Sequence, residues 1–240
     1  MRIEEHIILE TPDFVIINKP SGMLTLPDRH DNELTSLNGL LKKAYGEIFT
    51  VHRLDRDTSG IILFARNEAA HKYYSQLFES REVKKFYLAF VNGQLFPKQG
   101  SVDEPIMEHP VQKGKMVTNR RGKASLTDYD VLEEFGLLSL VKLQIHTGRT
   151  HQIRVHMKHL GHPVAVDELY GTGEPIRLSA IKKKFKLGKY VEEERPLLSR
   201  LALHAAELEF KDRQGNLQKV EAPLPKDMAA LLNQLRKHKR

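Results

Sequence analysis

Apolar residues in this chain fall mostly into short alternating runs, with a few longer stripes at helical spacing. Runs at 7–10 and 14–18 read as strands, and the pattern predicts a helix over 36–45 that Gly46 would end. The unbroken run Ile61-Ile62-Leu63-Phe64-Ala65 has the length of a buried strand. Asn67-Glu68 then cap a helix with Tyr74, Leu77 and Phe78 on its apolar face, and 86–91 return to strand. Segments 125–132 and 138–145 alternate like neighbouring antiparallel strands around Glu133-Glu134-Phe135-Gly136. A helix is expected over 150–160, with Ile153, Met157 and Leu160 on one stripe and Gly161 at its C-terminal stop. Strands near 201–210 and 217–222 enclose a turn at Gly215-Asn216, and an amphipathic helix begins at about Asp227. No internal repeat occurs, and the weakest pattern, 172–194, reads as a loop insertion. Strands and helices mix without regular βα alternation, so the expected class is α+β, a large sheet with helices packed on it.

Composition narrows the picture. A chain of 240 residues with 40% hydrophobic content can bury a proper core as one large domain or two small ones. Cysteine is absent, which excludes disulfides and thiolate metal sites and removes any argument for an oxidising compartment. The first residues lack a signal-peptide core and no apolar stretch approaches the roughly 20 residues of a membrane span, so a soluble cytoplasmic protein is expected. The net charge of +7 favours a polyanionic partner, since each Lys or Arg set on a phosphate releases counterions. Basic clusters recur at Lys84-Lys85, Lys113-Gly114-Lys115, Arg120-Arg121-Gly122-Lys123 and Lys182-Lys183-Lys184. Lys182 to Lys186 read as a solvated face, whereas the Gly-containing turn makes Arg120 and Lys123 the better phosphate contacts.

The densest chemistry lies in His52-Arg53-Leu54-Asp55-Arg56-Asp57-Thr58-Ser59-Gly60, directly before the Ile61 strand. Asp55 there reads either as a turn-capping carboxylate with Arg53 as a surface ion partner, or as a reactive group in a site that grips a phosphate backbone. Three other segments stand in order around it: Val15-Ile16-Ile17-Asn18-Lys19-Pro20-Ser21-Gly22, Lys84-Lys85-Phe86-Tyr87-Leu88-Ala89, and Thr147-Gly148-Arg149-Thr150-His151-Gln152-Ile153-Arg154-Val155-His156, followed by Gly161-His162-Pro163. Together they resemble the motifs of the RluA-type pseudouridine synthases, over nearly the whole chain. The resemblance implies the pseudouridine synthase fold, a long mixed and mostly antiparallel sheet with the active cleft across its middle. With the first motif beginning near residue 14, a single catalytic domain over 1–240 is expected, without the S4-type RNA-binding domain of many relatives.

The same resemblance assigns roles. Asp55 falls on the catalytic Asp, Tyr87 on a Tyr that stacks on the target base and helps remove its C5 proton, and Arg154 on the Arg that keeps the carboxylate ionised. Arg53 matches an Arg that fills the gap left by a flipped nucleotide. Lys19, Arg149 and His151, with Arg120 and Lys123, complete the expected RNA-contacting set, Lys19 being structural or phosphate-adjacent. Read from the residues alone, Tyr87 is an ordinary core tyrosine, and for Arg154 the i+3 spacing from His151 and adjacency to Ile153 allow either a solvent-facing helix residue or a partner of the carboxylate. The implied chemistry calls for no metal or cofactor, and the implied partner is ribosomal or transfer RNA, bound by a monomer.

Two other classes compete. His146, His151, His156, His159 and His162 are dense enough for a metal-dependent hydrolase or nuclease, but the step from His151 to His156 turns through about 140° on a helix and no His-Glu-x-x-His pattern exists. A noncatalytic RNA-binding protein of the same fold would keep the basic face and lose Asp55, which is present. One departure stands out: the family commonly has Gly before the Asp in the segment after His-Pro, where this chain has Val166 before Asp167. A β-branched residue takes a positive φ only at a cost, so a different local backbone is expected there.

Overall fold

The computed structural model describes residues 2–28, 34–186 and 193–239. Its elements run β1 (Ile7–Glu10), β2 (Phe14–Lys19), α1 (Leu37–Tyr45), β3 (Phe49–Thr50), β4 (Ser59–Ala65), α2 (Glu68–Glu79), β5 (Lys84–Asn92), β6 (Gln99–Asp103), β7 (Ile106–Glu108), β8 (Met116–Thr118), β9 (Leu126–Glu134), β10 (Leu138–Ile145), α3 (Gln152–His159), α4 (Leu178–Ile181), β11 (Leu203–Lys211), β12 (Leu217–Glu221) and α5 (Lys226–His238). The class is α+β, with mixed, mostly antiparallel strand pairing and a few flanking helices. The chain divides into two compact units, Met1–Tyr87 with His204–Pro223, and Leu88–Leu203 with Leu224–Arg240.

In the first unit β4 is the centre of the sheet. All seven of its residues are buried, which is why its sequence is a continuous apolar run rather than an alternating one. It pairs antiparallel with β2, Lys19 standing opposite Gly60, and parallel with β11, Ser59 opposite His204. Asn67 caps α2 by accepting the Ala70 N–H at 2.8 Å, and the helix lays Ala70, Tyr74 and Leu77 against Phe14, Ile61, Leu63 and Phe210. Phe14, Tyr74 and Phe210 meet edge to face with centroids 5.5–5.7 Å apart, a favourable aromatic arrangement.

In the second unit β9 pairs antiparallel with β10 on one side and β6 on the other, with a bulge between Leu140 and Val141. β7 and β8 form a separate hairpin. α3 is shorter than its hydrophobic stripe predicted because His151 takes the left-handed conformation, φ 55°, and cannot begin the helix earlier. Within the 172–194 stretch expected as an insertion, α4 is a short helix and Ile176 pairs with Leu198 at the base; residues 187–192 lie outside the described residues.

Candidate active site

The loop before β4 is built as a clamped turn. Thr25 Oγ1 donates to the Leu54 carbonyl at 2.9 Å and accepts the Leu54 N–H at 3.3 Å, so one side chain satisfies both backbone groups of that residue. Lys19, fully buried, sends its ammonium to the carbonyls of Pro20 (3.1 Å), Met23 (2.8 Å) and Arg56 (2.9 Å). The Gly22 N–H also reaches the Arg56 carbonyl, and Ser21 Oγ donates to the Asp57 carbonyl at 2.6 Å. Leu54 and Arg56 are therefore both pinned, and the half-buried Asp55 sits between them. Of the two roles expected for Lys19, structural or phosphate-adjacent, this geometry favours the structural one, since its buried ammonium is committed to three carbonyls. Its work is to hold the segment after β2 onto the loop before β4.

Gly60 explains the end of the same motif. Its φ is +115°, and a Cβ there would stand 2.1 Å from the Ala205 carbonyl oxygen, so only glycine allows β4 and β11 to approach. Next to it, buried Ser59 Oγ meets His204 Nδ1 at 3.0 Å. His52 accepts the Leu63 N–H at its Nε2 (2.9 Å) and stacks on Phe78 with centroids 4.3 Å apart. Burial, and then the charge of Lys85, push its pKa down to about 3, so it is a neutral structural ring at physiological pH. Lys85, itself buried, lies over the other partner of that stack, 5.8 Å from the Phe78 centroid.

Tyr87 is 8% exposed at the unit's end of β5. Burial first, and then the negative charge of Asp55, raise its pKa above the ordinary phenol value, so its hydroxyl carries a proton at neutral pH. Asp55 and Tyr87 are thus electrostatic neighbours in the first unit. Arg53 is exposed on the same loop.

The second unit places Arg154 on α3, 7% exposed, which rules out the reading of a solvent-facing helix residue. It donates from Nε and Nη2 to the two oxygens of Asp167, at 2.7 and 2.8 Å. Asp167 also accepts the N–H groups of Leu169 and Tyr170. The guanidinium lies over the Tyr170 ring at 4.9 Å, and the Tyr170 hydroxyl meets His151 Nδ1 at 2.8 Å while accepting the Met116 N–H. Asp167 and Tyr170 were not foreseen; the His-Pro segment was the signal that could have found them.

The loop path at Val166 corrects the sequence expectation. Val166 does adopt the left-handed conformation, φ 56°, despite its branched side chain. Its neighbours explain why: Ala165 is held by Phe90 and Ala202 through backbone bonds of 2.8 and 3.1 Å, and Asp167 by Arg154. Such a conformation costs on the order of 1–3 kcal/mol, sustained here because both flanking residues are fixed.

Gln152 is a further unpredicted element, buried and fully used. It accepts from Thr147 Oγ1 and the Arg149 N–H, and donates to the Leu126 carbonyl and Thr127 Oγ1. Arg149 Nε donates to the Ala124 carbonyl, which brings it beside the turn bearing the exposed Arg120 and Lys123. That turn is fixed by the Asn119 carbonyl bond to Gly122 and by the paired Ile106 and Lys123 backbones. The other histidines disperse: His156 is spent on Thr127 and the Glu104 carbonyl, His146 on Asp128, His162 on the Asn92 carbonyl. Among the described residues no group of three or more His, Cys, Asp or Glu converges in the way a metal ion requires.

The first unit sets a half-buried carboxylate near a buried phenol on a loop whose neighbouring backbones are pinned, and the second unit, taken by itself, exposes a basic turn suited to a polyanion. A family model described as RNA pseudouridylate synthase matches residues 13–159. The ribosomal large subunit pseudouridine synthase D of Nitrosomonas europaea is 38% identical over 96% of this chain and 65% of its own length. The uncharacterized RNA pseudouridine synthase YlyB of Bacillus subtilis is 35% identical over 97% of this chain and 73% of its own. The chain thus spans roughly two thirds to three quarters of these relatives. The solved structure of human RNA pseudouridylate synthase domain containing 4 superposes with a TM-score of 0.74 at 29% identity, covering 98% of this chain and 94% of that one. The chain belongs to the RNA pseudouridylate synthase family, and its class of chemistry is the isomerisation of uridine in RNA. Among the described residues no helix is long and apolar enough to cross a membrane.

Proposed function

We propose that this protein isomerises uridine to pseudouridine in large-subunit ribosomal RNA, with a transfer RNA stem-loop as the second candidate, and that residues 1–240 act as one monomeric catalytic domain in the cytoplasm. The observation that carries the reading is Asp55, held beside the Tyr87 phenol on a loop pinned at both neighbouring residues. The reaction must break the N1 to C1′ bond, turn the uracil, join C5 to C1′ and release the C5 proton. Asp55 performs the first part, by attack on C1′ or by abstraction of a sugar proton, and no metal or redox cofactor enters these steps. Arg154, oriented by the two oxygens of Asp167, is assigned the cation's role in the reaction on the strength of its motif. Tyr87 presents its ring to the extruded base. If Asp55 becomes esterified its charge vanishes, and with it one of the two causes that hold the phenol proton. Arg53 enters the gap in the RNA, and Arg120, Lys123, Arg149 and His151 meet phosphates; His151 does so through its Nε2 edge, since Nδ1 faces Tyr170.

Tritium release from C5-labelled uridine RNA tests this reading. Asp55→Asn is expected to abolish release while keeping the circular dichroism of the wild type and much of its RNA affinity. Substantial turnover by the folded variant would remove Asp55 from the reaction.

A further inference from the structure

We propose that a cavity beside the catalytic loop seats the unpaired nucleotide next to the target uridine; this rests on the RNA-modifying reading and names a second contact for the same substrate. The cavity, about 300 Å³, lies wholly in the first unit. Leu24, Leu26 and Pro27 supply an apolar wall, Arg53 and Arg56 two exposed guanidiniums, and Asp28 a carboxylate. Asp55 does not line it, although it stands between Leu54 and Arg56, so the cavity is separate from the catalytic carboxylate.

The volume lies at the small end of ligand sites and admits one flat group, not a folded segment. Its chemistry fits a single-stranded nucleotide. Guanidiniums take a phosphodiester and also offer planar faces to a base, and the apolar wall, with Leu26 41% exposed, covers the other face. The carboxylate of Asp28 disfavours a phosphate on its side, which sets the phosphodiester toward the arginines and orients the nucleotide. Arg56 meets Asp57 at 3.5 Å in an exposed pair, weak enough for a phosphate to displace. An acidic peptide would satisfy the arginines but leave Leu26 and Pro27 uncovered and be repelled by Asp28. The wall is also tied to the loop, because Thr25 bonds both backbone groups of Leu54. A nucleotide seated there sets the register of the RNA relative to Asp55.

The test pairs a protein change with an RNA change. Stem-loops carry the target uridine and an abasic nucleotide on its 5′ or its 3′ side, and Kd and KM are measured for the wild type, Leu26→Asp and Leu217→Asp. Leu217, 69% exposed in the same unit, adds the same charge away from the cavity. Leu26→Asp should weaken binding of the intact RNA about tenfold, as should one of the two abasic RNAs with the wild type. On that abasic RNA, Leu26→Asp should add no more than about twofold. Equal penalties from Leu26→Asp on the intact and both abasic RNAs, or a penalty no larger than that of Leu217→Asp, would overturn the proposal. Absence of turnover by the wild type on every uridine RNA would instead defeat the enzymatic reading, and the binding cycle would still report on the cavity.

Discussion

The buried ammonium of Lys19 donates to the carbonyl of Arg56 at 2.9 Å, 37 positions further along the chain. Lys19→Met would remove this shared donor from the carbonyls of Pro20, Met23 and Arg56, an expected loss of about 1–3 kcal/mol in denaturant unfolding, with isomerisation falling as the loop loosens. The salt dependence of RNA binding should be unchanged, since this cation meets no phosphate. A slope reduced by about one would return Lys19 to the RNA surface.

Gly60 admits no side chain. Gly60→Ala drives a methyl into the Ala205 backbone and strains a φ of +115°, so the pairing of β4 with β11 should be lost along with activity. Soluble expression with a wild-type melting temperature would contradict the close approach.

At Val166 two effects oppose. Val166→Gly relieves left-handed strain but enlarges the freedom of the unfolded chain by roughly 0.5–1 kcal/mol, so the net change should be small and activity retained. Asp167→Ala, by contrast, strips a buried guanidinium of its bidentate partner, an expected loss of about 3–5 kcal/mol together with turnover. Comparable unfolding free energies for the two variants would show that Asp167 does not hold Arg154.

His52 sets a pH dependence whose direction follows from its depressed pKa of about 3. Above the unfolded value of roughly 6.5 the ring is neutral in both states and its contribution is fully present. As pH falls below that value the unfolded chain takes up a proton that the folded protein refuses, and stability declines toward pH 3. His52→Gln, which keeps an acceptor for the Leu63 N–H, should flatten the loss between pH 7 and 4. Superimposable profiles would mean that the ring protonates without penalty.

Arg120 and Lys123 are exposed on a fixed turn, and neutralising both should reduce the slope of log affinity against log salt by about two while the chosen uridine stays the same. An unchanged slope would move the phosphate track elsewhere.

Much of this was legible beforehand, for local reasons. β10 carries most of the alternation that strand pairing demands, and α1 and α2 carry side-chain caps at Ser36 and Asn67, so their positions follow from neighbours in sequence. β6 to β8 were not foreseen: they are short, and β6 buries only Val102, which leaves no hydrophobic period to read. Asp55, Tyr87 and Arg154 stand out by their motifs. The residues that hold the site in shape do not, because their meaning lies in distant partners: Thr25 is 29 positions from Leu54, and Asp167 13 from Arg154. Lys19 is legible in sequence only as structural or phosphate-adjacent, because a lysine in a polar turn gives no sign that three carbonyls converge on it.

The pairing of Ser59 with His204 joins residues 145 positions apart, and it has a consequence for the protein's birth. At translation rates of about 5–20 residues per second, the ribosome needs on the order of ten seconds after Ser59 emerges before His204 is even polymerised. During that interval β4, buried along its whole length in the finished fold, has β2 on one flank and only the two-residue β3, at Phe64 and Ala65, in place of β11. The nascent protein must therefore shield an unfinished sheet, and the turn that leads into β4 gains its full support only once β11 has been made.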